Sequence, residues 1–205
     1  MLRQFYTIDK EVTAEIEVKK SEFIADIFSI SNEQDFKEKM NFVKKKFNDA
    51  RHHVFAYRLA DGLERYSDDG EPAGTAGVPI LDILRGNNLH DVLVVVTRYF
   101  GGTLLGTGGL VKAYSDAAKL AIEKAKVIEK FLAVEYELEI PYNDYNIVQH
   151  YCSTNGFVIT NSSFSDIVQL QIVVKEEEGR RFTKELCEIL DGKVDITMIK
   201  ENFYI

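Results

Sequence analysis

Between Val92 and Tyr114 the sequence VLVVVTRYFGGTLLGTGGLVKAY passes from an apolar run through a glycine-rich segment into a helical pattern. This order predicts a buried strand, a tight loop and a helix that begins near Thr107. The loop contains five glycines, at positions Gly101, Gly102, Gly106, Gly108 and Gly109. Glycines allow positive φ and close backbone packing, whereas a loop in front of a helix can also present N–H groups to an anion. The sequence leaves both interpretations open.

The named phosphate-binding motifs do not fit this loop. Gly101 and Gly106 have the spacing of a P-loop, but Thr107 stands where that motif requires lysine. The glycines also form no Gly-x-Gly-x-x-Gly series. We therefore do not expect nucleotide hydrolysis by the P-loop mechanism.

A second unusual stretch is SDDGEPAGTAGVP, from Ser67 to Pro79. Turn formation explains its glycines and prolines, and the end of the stretch leads into a predicted helix over Gly77–Arg85. Turn formation does not explain three neighbouring carboxylates, which repel one another unless they are solvated, cap a backbone, bind a cation or pair with arginine. The carboxylates are Asp68, Asp69 and Glu71, and the candidate arginines are Arg58, Arg65 and Arg98.

The sequence offers no recognisable catalytic set. Its four histidines have no metal-binding spacing, and no serine lies in a Gly-x-Ser-x-Gly elbow. His53 could act as an acid–base group with Asp68 or Asp69 if the fold brings them together. We expect no catalytic residues, no bound metal and no cofactor.

The order of predicted elements divides the chain into domains 1–130 and 131–205. In the first, Glu15–Lys19 and Phe23–Ile30 read as paired strands, followed by a helix with capping-box spacing from Ser31 to Gln34. Further strands are predicted at His53–Leu59 and Asp91–Tyr99. The second domain reads β-α-β-β-α-β, the ferredoxin-like split βαβ order, and its first strand, VEYELEI from Val134, alternates in hydropathy as expected for one wet face. The charged segment AKVIEKF, Ala125–Phe131, is interpreted as a helix tail.

Charge is distributed unevenly between these parts. Residues 1–130 contain 19 Lys and Arg against 20 Asp and Glu, whereas residues 131–205 contain 6 against 13. A nucleic-acid surface, if the protein has one, is therefore expected on a basic patch of the first part. If the glycines are purely architectural, the partner surface is expected on the lysine-rich helix Lys37–Lys46 instead. Cys152 and Cys187 are predicted to be buried thiols. The longest apolar run, Val92–Val96, is too short to span a membrane, so we expect a cytoplasmic protein.

Four ordered motifs resemble the YigZ/IMPACT family: KSEFIA at Lys20–Ala25, HVFAYRL at His53–Leu59, SDDGEPAGTAGVPILDIL at Ser67–Leu84 and VTRYFGGTLLGTGGLVKAY at Val96–Tyr114. The resemblance implies an α+β protein. Its first domain would be similar to elongation factor G domain IV and to a small-subunit ribosomal protein, and its second would be a small ferredoxin-like domain. Eukaryotic relatives act in translational control, and RNA or ribosome binding is the usual inference for bacterial ones. Many relatives have a lysine where this chain has Leu104.

The resemblance and the charge pattern together favour a translation-linked binding protein rather than an enzyme. Its expected partners are RNA, the ribosome or a translation-associated protein, with no membrane. The alternative is an enzyme that acts on a small phosphorylated or nucleotide substrate. The predicted binding residues are Asp68, Asp69, Glu71, Arg58, Arg98, Gly101, Gly102, Gly106, Gly108, Gly109 and Lys112. The enzyme alternative places its site at the three carboxylates and the glycine loop, with Asp68 or Asp69 as a metal ligand or a base.

Overall fold

A computed structural model describes residues 2–205. The chain is an α+β protein with two compact units, residues 1–129 and residues 130–205. Among the helices of residues 2–205, none has both the length and the apolar character needed to cross a membrane.

The first unit is built on a five-stranded sheet in which all neighbouring strands are antiparallel. The strand order is β2-β3-β6-β4-β5. The elements of this unit are β1 (Gln4–Ile8), β2 (Val12–Val18), β3 (Ser21–Ser29), α1 (Glu33–Lys46), β4 (His52–Arg58), β5 (Glu64–Ser67), α2 (Gly77–Gly86), β6 (Val92–Tyr99) and α3 (Gly106–Ala125).

Helices cover both faces of this sheet, which explains the continuous apolar run of β6. Val92, Val94 and Val96 face a core that includes side chains of α2 and α3, while Leu93 and Val95 face a second core beneath α1. All five side chains are fully buried. Because successive residues of a strand point to opposite faces, a strand covered on both sides must be apolar at every position.

The second unit contains a four-stranded antiparallel arrangement in the order β10-β7-β9-β8. Its elements are β7 (Val127–Ile140), α4 (Tyr145–Asn155), β8 (Val158–Phe164), β9 (Val168–Lys175), α5 (Gly179–Ile189) and β10 (Asp195–Tyr204), with 3-10 turns at Tyr142–Asp144 and Glu176–Glu178. The β-α-β-β-α-β order and the alternating burial of β7 agree with the sequence prediction.

The structure corrects three local predictions and adds two strands. The N-cap of α1 is Asn32, whose side chain accepts from the N–H groups of Gln34 and Asp35, so the Ser31–Gln34 capping box does not form. Segment 127–131 begins strand β7 instead of extending a helix. Cys152 is buried as predicted, but Cys187 is exposed. Strands β1 and β5 were not predicted, because neither has a long apolar pattern.

Candidate functional site

The two unusual stretches meet through a buried ion pair. Arg98 occupies the same face of β6 as Val94 and Val96, which directs its side chain towards the core beneath α3. There its Nη1 donates to Glu71 Oε1 at 2.6 Å, and the hydroxyl of Tyr114 donates to the same oxygen at 2.8 Å. Glu71 therefore connects Ser67–Pro72, called the SDDGEP segment below, to both β6 and α3.

This ion pair is almost completely buried: the side chain of Arg98 is 8% exposed and that of Glu71 is 5% exposed. Removing one partner of a buried ion pair leaves an uncompensated charge and costs about 3–5 kcal/mol. Burial, followed by the neighbouring Glu71 charge, raises the pKa of Tyr114 far above its usual range, so Tyr114 stays a neutral donor. The pair is thus part of the framework of the first unit.

Asp68 has a different structural role, at the beginning of helix α2. Its Oδ1 accepts from the N–H groups of Gly77 at 2.8 Å and Ala76 at 3.0 Å, and its Oδ2 accepts from Gly74 at 2.8 Å. The first N–H groups of a helix have no partner within the helix. Asp68 supplies that partner from nine residues earlier in the chain.

Asp69 holds the beginning of strand β4. Its backbone has φ of 43°, its Oδ2 accepts from the backbone N–H of His53 at 2.6 Å, and its carbonyl oxygen lies 2.7 Å from Nδ1 of His52. The ring of His53 instead contacts Thr97 Oγ1 at 3.1 Å. The proposed acid–base pair is therefore not formed, because Asp69 binds the backbone of His53 and not its imidazole.

The glycine loop is determined in part by packing. A Cβ on Gly101 would lie 1.9 Å from the carbonyl carbon of Lys20, and the N–H of Gly101 donates to Ser21 Oγ at 3.1 Å. Gly102 and Gly106 have φ of 81° and 74°, which disfavours other residues. A Cβ on Gly108 would meet open space, and one on Gly109 would lie 3.0 Å from the Cβ of Leu105.

Two predicted site residues lie away from Arg98. Arg58 pairs with Glu64 and is at the opposite end of β4, six residues from His52, or about 20 Å along the strand. Lys112 lines a separate groove of about 310 Å³ beside α3. The sequence could not separate these cations, because it gives no register between β4 and β6. Arg65, the third arginine considered for the carboxylates, pairs with Glu33.

A cleft of the first unit lies at the end of β6 where Arg98 is found, and its volume is about 460 Å³. Its lining residues are Asp49, Arg51, His52, Arg98, Tyr99 and Phe100. Sequence reasoning identified only Arg98 among them. Antiparallel pairing of β4 with β6 places His52 opposite Arg98, and the sequence alone does not give that register.

Both charged and aromatic side chains line this cleft. Two guanidinium groups and one imidazole line it against a single carboxylate, Asp49. The hydroxyl of Tyr99 donates to Asp49 Oδ1 at 2.7 Å, and this hydrogen bond raises the pKa of Tyr99 to about 12. Phe100 leaves 55% of its surface exposed. Within residues 2–205, His, Cys, Asp and Glu form no group of three or more that could hold a metal ion.

These features define a two-domain α+β protein whose first unit has an open cleft lined by arginine, histidine, aspartate and aromatic side chains. The model of the Impact N-terminal domain matches residues 19–122, and that of a domain of unknown function (DUF1949) matches residues 138–193. The chain belongs to the IMPACT family, as the sequence motifs indicate.

Full-length relatives support this assignment. The chain is 33% identical to the IMPACT family member YvyE of Bacillus subtilis over 198 residues, covering 96% of this chain and 91% of that protein. It is 34% identical to the IMPACT family member YigZ of Escherichia coli over 194 residues, covering 93% and 95%. A crystal structure described as that of a hypothetical protein matches with a TM-score of 0.64 and 31% identity, covering 98% of this chain and 100% of that one.

Proposed function

We propose that this chain is a translation-linked binding protein that binds RNA, free or in the ribosome, through the cleft at Arg98. The observation that carries the proposal is the lining of the cleft, where Arg51, His52 and Arg98 accompany an exposed aromatic ring, Phe100. Cations that meet phosphates and rings that stack on bases are the two recurring components of single-strand binding surfaces. The proposed compartment is the cytoplasm, where translation takes place.

The three carboxylates of the SDDGEP segment do not favour the enzyme alternative. Asp68 accepts from backbone N–H groups at the start of α2, Asp69 from a backbone N–H of β4, and Glu71 from Arg98 and Tyr114. Each carboxylate therefore has a structural partner within the protein, which accounts for its presence without a catalytic role. A binding function requires no such group.

Co-sedimentation with ribosomes and with free RNA tests the proposal, at low and near-physiological salt. Arg51→Ala is the informative variant, because Arg51 is exposed whereas Arg98 belongs to a buried pair whose loss would destabilise the fold. We expect RNA binding in the wild type and weaker binding in Arg51→Ala. The salt dependence of log K in the variant should be shallower by about 0.7–0.9 of a unit.

Lys45→Ala is the matched control, because Lys45 is an exposed cation on the lysine-rich helix α1. If Lys45→Ala lowers the salt slope and Arg51→Ala does not, the RNA surface is α1 and the cleft assignment is wrong. Absence of binding to both ribosomes and free RNA at low salt would reject RNA binding altogether.

A further inference from the structure

We infer that the cleft accepts one unpaired nucleotide of an RNA strand, with its base stacked on Phe100 and its phosphate held by Arg51. This inference rests on the proposed RNA binding and narrows it to a class of ligand. It predicts that the protein distinguishes single-stranded from double-stranded RNA of the same sequence.

Phe100 is a suitable stacking platform because it is both exposed and held in place. The guanidinium carbon of Arg98 lies 5.7 Å from the centre of the Phe100 ring and 5.5 Å from that of the buried Phe23. Arg98 is therefore stacked between a core ring and a surface ring. A ring oriented in advance loses less conformational freedom when a base stacks on it.

The backbone that follows Phe100 is also fixed. Gly101 packs directly against the backbone at Lys20 and Ser21, and its N–H donates to Ser21 Oγ. This contact anchors the loop to the turn between β2 and β3 immediately beside the exposed ring. Close packing at Gly101 thus positions Phe100 for a partner, even though the glycine itself need not touch one.

Arg98 has donor capacity that the protein does not use. Its Nη1 binds Glu71, but its buried Nε has no hydrogen-bond partner among residues 2–205. Buried polar atoms without partners are uncommon in folded proteins. The unused donor lies on the residue that forms the inner part of the cleft, so a small shift of the side chain on binding would give Nε a polar partner from the ligand.

The size of the cleft matches a single nucleotide better than an RNA duplex. Its volume of about 460 Å³ lies towards the lower end of sites that enclose small ligands, which span about 300–1,000 Å³. In an RNA duplex the bases are stacked and paired, and placing one on Phe100 would require unpairing it at a cost of a few kcal/mol. Single-stranded RNA presents its bases without that cost.

The test is fluorescence anisotropy with a labelled ten-nucleotide RNA of mixed sequence and with its duplex, using the whole 205-residue chain. We expect the single strand to bind more tightly than the duplex. Phe100→Leu should weaken single-strand binding by about 5-fold to 150-fold, the range found for loss of one base–aromatic stack. Phe100→Tyr should retain binding, and Phe100→Leu should leave the salt slope unchanged because stacking releases no counterions.

Leu104→Ala is the control for the loop, since Leu104 is 83% exposed and lies four residues from Phe100. Equal binding of single strand and duplex, with Phe100→Leu neutral and Arg51→Ala weakened, would overturn the nucleotide inference and leave RNA binding standing. Failure of the wild type to bind either RNA would overturn both. Binding to ribosomes without binding to free single-stranded RNA would overturn the inference and leave the proposed ribosome binding in place.

Discussion

At the scale of single residues, the first unit assigns each carboxylate of the SDDGEP segment a separate donor. Asp68 binds the start of α2, Asp69 binds the backbone of β4, and Glu71 binds Arg98 and Tyr114. The repulsion expected of three adjacent negative charges is offset because the side chains diverge towards different partners. Arg98 consequently has two roles, as the counter-ion of Glu71 and as part of the cleft.

Gly101 is the residue at which the loop tolerates no side chain. Gly101→Ala would place a Cβ 1.9 Å and 2.0 Å from the carbonyl carbon and oxygen of Lys20, where the obstacle is backbone that cannot rotate away. We expect the free energy of unfolding to fall by about 1–3 kcal/mol, as measured by urea denaturation. RNA binding should weaken as well, because the loop positions Phe100.

Gly108→Ala is the matched control in the same segment. A Cβ there meets open space, its φ is not positive, and alanine is favoured over glycine in a helix. The variant should be as stable as the wild type or slightly more stable. Equal losses in the two variants would contradict the packing role of Gly101.

At the scale of elements, helix α2 begins without a capping side chain at its N-cap residue, Ala76. Its first N–H groups are instead satisfied by Asp68 from the preceding turn. This arrangement ties the geometry of the SDDGEP turn to the position of α2, which packs beside α3 over the sheet.

Asp68→Ala should therefore destabilise the protein by about 1–2 kcal/mol, because it removes the acceptor for the first turn of α2. Thermal or urea denaturation measures the loss. Asp82→Ala is the control on the same helix, since the side chain of Asp82 is 61% exposed and pairs with Arg85 at the surface. If both variants lose the same stability, the effect is general to α2 and the capping role is refuted.

At the scale of the whole molecule, two buried histidines couple stability to pH. Burial lowers the pKa of both His53 and His90 from the ordinary value of 6.5, with Asp69 acting in the opposite direction for His53. Below pH 6.5 these two histidines bind protons more readily in the unfolded chain than in the folded protein. The contribution of these two groups to the free energy of unfolding therefore decreases as the pH falls below about 6.5.

Urea denaturation at pH 7.5 and pH 5.5 measures this effect, with lower stability expected at pH 5.5. The same pair of measurements on His53→Gln, His90→Gln and the double variant supplies the comparison. The pH dependence should decrease stepwise with each substitution. An unchanged pH dependence in the double variant would show that other groups are responsible.

The sequence by itself determined the elements with strong periodicity or continuous burial. The run VLVVV predicted a buried strand, and the alternation in VEYELEI predicted a strand with one wet face, because these patterns follow from local geometry. The motifs were also sufficient for the family. The short strands β1 and β5 could not be recognised because neither carries a long apolar or alternating pattern.

Tertiary structure alone decided the candidate site. Proximity depends on strand register, and register brought Arg98 to His52 while leaving Arg58 at the other end of β4. The tertiary structure also decided that Glu71, rather than Asp68 or Asp69, pairs with Arg98. It brings Asp49, Arg51 and Phe100 into the cleft as well. The physical reason is that the sequence around a residue limits its backbone conformation, whereas the contacts of its side chain depend on segments far away in the chain.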